Sequence, residues 1–327
     1  MSGKRVLVTG AGGFIGSHLV ERLAGEGAEV RAFVHYSSRG DWGHLESSPE
    51  EIRDAIEVVA GEIQDSFSVA RAVANRDVVF HLAALIGIPY SYLAPKSYLD
   101  TNVLGTLNVL EAARSSEVQR VVHTSTSETY GSAIYAPIDE HHPLQGQSPY
   151  SASKIAADKI AESYWRSFEL PLTTVRPFNT FGPRQSLRAI IPTIMAQALA
   201  GREVRVGSLA PVRDFTFVAD TARAFVAAAS SPVAVGATLN VGSGRGIAIG
   251  ALADLILEVV GCEAELVIEE QRVRPEASEV VHLLCDATQL HALTGWQPTV
   301  DLREGLDRTA EWMRSRPPHP RTQAYAV

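Results

Sequence analysis

Six short apolar, β-branched runs punctuate the first half of the chain, at Arg5–Thr9, Glu29–Val34, Ile56–Ala60, Asp77–His81, Arg120–Thr124 and Leu172–Arg176. Between them lie segments of helical spacing or length, such as the amphipathic stretch Ser17–Glu26. Apolar runs this short, bounded by turn residues, predict buried strands, and their alternation with helices predicts a parallel sheet covered on both faces. Such sheets bind ligands beyond the carboxyl ends of their strands. After about Phe178 the alternation loosens, with helical stretches at Ala189–Ala200, Thr216–Ala229, Ile249–Val260 and Leu302–Met313. The expected class is α/β: a doubly wound parallel sheet over residues 1–177 and a smaller C-terminal α/β lobe over residues 178–327, with an interleaved boundary. The lobe should complete a substrate cleft, and the Pro-rich tail from Arg316 should fray.

Composition narrows the function. With 46% hydrophobic and 20% charged residues the chain is globular material rather than a disordered one. No apolar stretch approaches the ~20 residues needed to cross a bilayer, so no membrane association and a cytoplasmic location are expected. A net charge of −8 argues against bulk attraction to nucleic acid. Cys262 and Cys285 have neither metal-ligand spacing nor a disulfide framework; they are expected to be reduced packing residues, and no metal is expected.

The first strand runs into Thr9-Gly10-Ala11-Gly12-Gly13-Phe14-Ile15-Gly16 and then a helix. That order makes the sheet Rossmann-like and the turn a phosphate site. Gly10 and Gly13 would let backbone N–H groups approach a pyrophosphate at the helix N-terminus, and Gly16 would allow the helix to pack closely on the strand. NAD-binding sheets usually carry an acid at the end of the second strand, for the ribose hydroxyls. Here that position reads Val34-His35-Tyr36-Ser37-Ser38-Arg39. With no acid present, His35, Ser37 or Arg39 could receive a 2′-phosphate, so NAD and NADP both remain open.

In Ser148-Pro149-Tyr150-Ser151-Ala152-Ser153-Lys154, Ser148 reads as a helix N-cap, which places Tyr150 and Lys154 on one helix face. Nine tyrosines and four lysines would produce this spacing by chance about 0.1 times, so the pair carries information. A phenol has an ordinary pKa near 10; a neighbouring ammonium and a nicotinamide cation would lower it, making a base for a sugar hydroxyl. After the fifth strand, Thr124-Ser125-Thr126-Ser127-Glu128 concentrates hydroxyls and a carboxylate where such folds build their sites. Thr126 could bond the reacting hydroxyl and Glu128 could act as a base.

Taken together these residues resemble the extended short-chain dehydrogenase/reductases, the NAD-dependent epimerase/dehydratase family, over nearly the whole chain. The stretches Asp100–Thr106, His81–Ala84, Arg176–Arg184, Arg213–Phe215 and Arg274–Glu276 are similar to further family segments. The resemblance implies a nucleotide-sugar substrate and tightly bound NAD or NADP, regenerated each turnover. Besides Tyr150 and Lys154, it implies cofactor contacts from Phe14, Ile15, Glu62, Ile63, Leu82, Ala83, Ala84, Asn102 and Pro177. Substrate contacts fall to Asn179, Arg188, Arg213 and Arg274. Thr126-Ser127-Glu128 resembles the motif of GDP-mannose 4,6-dehydratases and UDP-glucuronate decarboxylases, with Ser127 where other dehydratases carry the leaving-group acid. Ala32-Phe33-Val34, Trp42-Gly43 and the stretch from Pro143 to Lys154 are similar to the 4,6-dehydratases of legionaminic acid biosynthesis, which act on GDP-N-acetylglucosamine. The expected activity is therefore 4,6-dehydration of a GDP- or UDP-linked hexose or N-acetylhexosamine, by a homodimer joined near Tyr98–Arg114 and Pro149–Phe168. Decarboxylation of UDP-glucuronate, 4-epimerisation and non-enzymatic cofactor sensing are the alternatives.

Overall fold

The computed structural model describes residues 1–201, 203–272 and 280–316. The tail beyond Arg316 and Arg274 lie outside them. The strands are β1 (Arg5–Thr9), β2 (Glu29–His35), β3 (Glu57–Gly61), β4 (Val78–His81), β5 (Arg120–Thr124), β6 (Leu172–Pro177), β7 (Asn179–Phe181), β8 (Glu203–Val206), β9 (Val212–Phe217), β10 (Thr238–Val241), β11 (Gly246–Ala248), β12 (Glu265–Ile268) and β13 (His282–Leu283). Seven of them form a parallel sheet in the order β10-β6-β5-β4-β1-β2-β3. Strand order reverses between β1 and β4, which opens a crevice at their carboxyl ends.

Alternate residues of β1 show why the sheet is covered on both sides. Val6 and Val8 join one apolar cluster and Leu7 the other, as side chains of period two must. The seventh strand, β10, comes from beyond residue 177 and pairs with β6 (Thr238 against Thr174). The helix Val218–Ser230 likewise returns to pack on the first layer, through Phe225 and Ala229. A smaller body is built from β7, β9, β11 and β13, the parallel pair β8–β12, and the helices Ile190–Ala200, Ile249–Val260 and Leu302–Arg314 around their own apolar cluster.

Two helix starts differ from the sequence reading. The first helix begins at Phe14, not Ser17, because the Ser17 amide already donates to the Gly13 carbonyl. The helix expected from Thr216 begins at Val218, because Thr216 and Phe217 pair with β7 and finish β9. No helix among the described residues is long and apolar enough to cross a membrane.

Candidate active site

A cleft of about 1010 Å³ lies over the carboxyl ends of the sheet and is closed on its far side by the smaller body. Its floor is the glycine turn. Gly10 has φ +68°, and a Cβ there would sit 2.8 Å from the Ala83 amide nitrogen; a Cβ on Gly16 would sit 2.1 Å from the Gly10 carbonyl oxygen. Both glycines are demanded by the fold itself. Gly13 is different. Its φ of −79° suits any residue, and an added Cβ would meet only the Gly10 oxygen at 3.1 Å. Gly13 caps the helix without a side chain, and its own N–H is spent on Gly10. The amides of Phe14, Ile15 and Gly16 precede the first intrahelical bond, so they can face an anion at the positive helix end.

An acid from further along the chain reaches the cleft near the end of the second strand. His44 donates its amide to the Gly12 carbonyl at 2.9 Å, and the Ser37 hydroxyl donates to Asp41 at 2.8 Å. This folds residues 37–44 back over the turn and brings Asp41 and Trp42 into the cleft beside His35 and Ser37. Gly12 is needed for that closure, since a Cβ would sit 2.6 Å from the Trp42 carbonyl oxygen. Arg39 is exposed and does not line the cleft, and neither do Glu62 and Ile63. Glu62 pairs with His35 at 3.3 Å, whereas Ile63 is buried in the core under Gly105.

The Tyr150 helix spans Pro149–Phe168. Ser148 caps it by accepting the Ser151 amide, in a reciprocal box with the Ser151 hydroxyl. Tyr150 is 7% exposed, its ring edge-on to Tyr98 at 6.2 Å. Burial pushes its phenol well above the ordinary value; Thr126 nearby acts in the opposite direction, and the charge of Glu128 adds to the rise. Lys154 donates to the Thr124 carbonyl at 2.6 Å, and burial lowers its ammonium to about 8. In the protein by itself the Tyr150 phenol is therefore raised, where a neighbouring ammonium and a nicotinamide cation together were expected to lower it, because burial is the largest effect.

Thr126 caps the short turn Ser127–Thr129 by accepting the Glu128 amide at 3.2 Å. The turn separates its side chains: Glu128 lines the cleft with Thr126, whereas Ser127 is buried behind the wall. Leu82, Ala83, Ala84, Pro177, Asn179, Arg188 and Arg213 also line the cleft. Asn102 does not. Its buried amide bonds the Leu85 backbone on both sides, at 2.8 and 2.9 Å, and the Ser153 hydroxyl at 2.9 Å, so it ties the loop after β4 to the Tyr150 helix. Thr124 also lines the cleft, and its hydroxyl is buried without a partner among the described residues. An open glycine cradle, free helix-start amides and this orphan hydroxyl fit a dinucleotide lying from Asp41 to Tyr150.

A family model described as GDP-mannose 4,6 dehydratase matches residues 7–309. The chain is 36% identical to a UDP-glucose 4-epimerase of Mycolicibacterium smegmatis, covering 95% of this chain and 99% of that one. It is 30% identical to a dTDP-glucose 4,6-dehydratase of an Actinoplanes species, covering 95% and 98%. Among solved structures, a dTDP-glucose 4,6-dehydratase from Streptomyces venezuelae with NAD bound superposes with a TM-score of 0.84 at 28% identity, over 95% of this chain and 97% of that one. With its strand order, glycine turn and buried Tyr-x-x-x-Lys helix all in place, the chain belongs to the NAD-dependent epimerase/dehydratase family of extended short-chain dehydrogenase/reductases.

Proposed function

We propose that the protein is a nucleotide-sugar 4,6-dehydratase acting on GDP- or UDP-linked hexoses or N-acetylhexosamines. The observation that carries this reading is Glu128, a carboxylate on the same cleft wall as Tyr150 and close enough to act on its charge. Moving hydride at C4 needs only Tyr150. Eliminating water across C5 and C6 needs a further base.

The oxidised nicotinamide would supply a hydride acceptor and a positive charge beside Tyr150. Tyr150, with Thr126 beside it in the cleft, takes the proton of the C4 hydroxyl. Once C4 is a ketone, the C5 proton is acidic and Glu128 removes it. With Ser127 turned away, Glu128 is also the group that returns this proton to the departing C6 hydroxyl, which leaves as water; C6 then takes back the hydride, which the reduced nicotinamide would supply, and C5 takes a solvent proton by way of Glu128. Asn179, Arg188 and Arg213 line the cleft and would hold the nucleotide diphosphate, since guanidinium forks suit phosphates. At the adenosine end Asp41 favours ribose hydroxyls, hence NAD, over a 2′-phosphate. The exposed Leu99, Leu104 and Phe168 support a homodimer through the helices that carry them.

A panel of nucleotide sugars read by product mass tests the assignment. Loss of water from a GDP- or UDP-hexose is expected. Loss of carbon dioxide from UDP-glucuronate would point to a decarboxylase, and unchanged mass with an inverted C4 to the epimerase reading that the 36% identical relative favours. Cofactor placement has its own test. Gly13→Val should fold, at a cost of about 1 kcal/mol for a poorer helix cap, yet fail to bind NAD at concentrations that saturate the parent. Equal affinity in calorimetry would move the pyrophosphate elsewhere.

A further inference from the structure

We propose that Asp158 is a positioning residue of this site: its buried carboxylate anchors the end of β5 and supplies the counter-charge to the Lys154 ammonium. The proposal rests on the Tyr150–Lys154 reading and extends it one helical turn deeper. Tyr150, Lys154 and Asp158 follow one another at intervals of four residues, on one face of the same helix. Tyr150 and Lys154 line the cleft, whereas Asp158 lies behind it and is 5% exposed.

Asp158 gathers the two strands that carry the site. It accepts the Ser125 hydroxyl at 2.6 Å, His123 Nε2 at 3.0 Å, and Arg176 through Nε at 3.2 Å and Nη2 at 2.9 Å. Ser125 stands between Thr124, whose carbonyl receives Lys154, and Thr126, which lines the cleft with Tyr150 and acts on its phenol. One carboxylate therefore holds the peptide that positions both catalytic side chains. Arg176 is itself fixed, with Nη1 donating to the Tyr130 hydroxyl at 3.0 Å and its guanidinium 5.0 Å from that ring's centroid.

A buried Asp–Arg pair is often only structural, and the charges around Lys154 decide otherwise here. Asp158 acts on it from its own helix, with His123 on β5 and His81 on β4 also near it, while Arg176 on β6 bears on Asp158, and Glu128 and Tyr98 bear on neighbouring Tyr150. Burial lowers both histidines. Asp158 remains as the anion acting on Lys154; burial pushes its carboxyl up, but the His123 hydrogen bond and the Arg176 charge outweigh this and keep it well below the usual carboxylate range.

The sign follows. Burial lowers Lys154 and Asp158 raises it, so removing the carboxylate charge lowers it further, and the ammonium is lost at a lower pH. With four lysines in the chain, ε-13C-lysine NMR can follow Lys154 directly, whatever reaction the enzyme catalyses. In Asp158→Asn the Lys154 midpoint should fall by about one unit or more, and the alkaline limb of the kcat profile should move with it; Asp158→Glu should restore part of the shift. Should Asp158→Asn not fold, Asp158→Asn/Arg176→Gln removes both buried charges, and a smaller fall of the same sign is expected, because a cation leaves with the anion that acts on Lys154. An unmoved midpoint in a folded variant, or failure of both variants to fold, overturns the proposal in favour of a structural ion pair. A wrong reaction class would change the products and leave the NMR midpoints as stated.

Discussion

Tyr150→Phe is expected to lower turnover by at least ~10²-fold while the protein stays folded, about 2.7 kcal/mol of transition-state stabilisation. The substitution removes one oxygen and almost no volume. The ring keeps its packing against Tyr98, and the Thr126 oxygen still accepts the Glu128 amide. What is lost is the acceptor for the C4 proton. Lys154→Ala should act in the same direction, by removing the ammonium beneath the phenol. Steady-state rates alongside thermal melts separate the two effects: an unimpaired Tyr150→Phe enzyme with a parental melting curve would remove Tyr150 from the chemistry.

Glu128→Gln tests the reaction rather than the oxidation. It keeps the shape of the side chain and abolishes its basicity, so dehydration should fall by ~10² or more, whereas proton removal by Tyr150 persists. In deuterated water the parent should place deuterium at C5 of a 4-keto-6-deoxy product, and the variant should not. An epimerase would be nearly indifferent to this change, because it needs no base at C5. If Glu128→Gln dehydrates at the parental rate, or the parent forms no such product from GDP- or UDP-hexoses, the dehydratase reading fails and decarboxylation is the next to examine.

The sequence by itself determined the parts that rest on local periodicity. Strands buried on both faces must read as short apolar runs, so β1 to β6 were legible to within a residue or two. The Tyr150–Lys154 pair was legible because an N-cap and a four-residue interval place two side chains on one helix face before any tertiary contact forms. Glycine needs at Gly10 and Gly16 were readable from strand–turn–helix order. Tertiary structure alone decided the rest. Whether Ser127 or Glu128 faces the cleft depends on a single turn after β5, through which consecutive side chains diverge. Asn102 and Ile63 sit behind the wall they were expected to form, because the loop after β4 and the core claim them first. Asp41 enters the cleft only because His44 docks on Gly12, across some thirty residues of chain, and β10 joins the sheet only by finding β6. Contacts between distant segments are set by the packing of the whole molecule, and no local spacing encodes them.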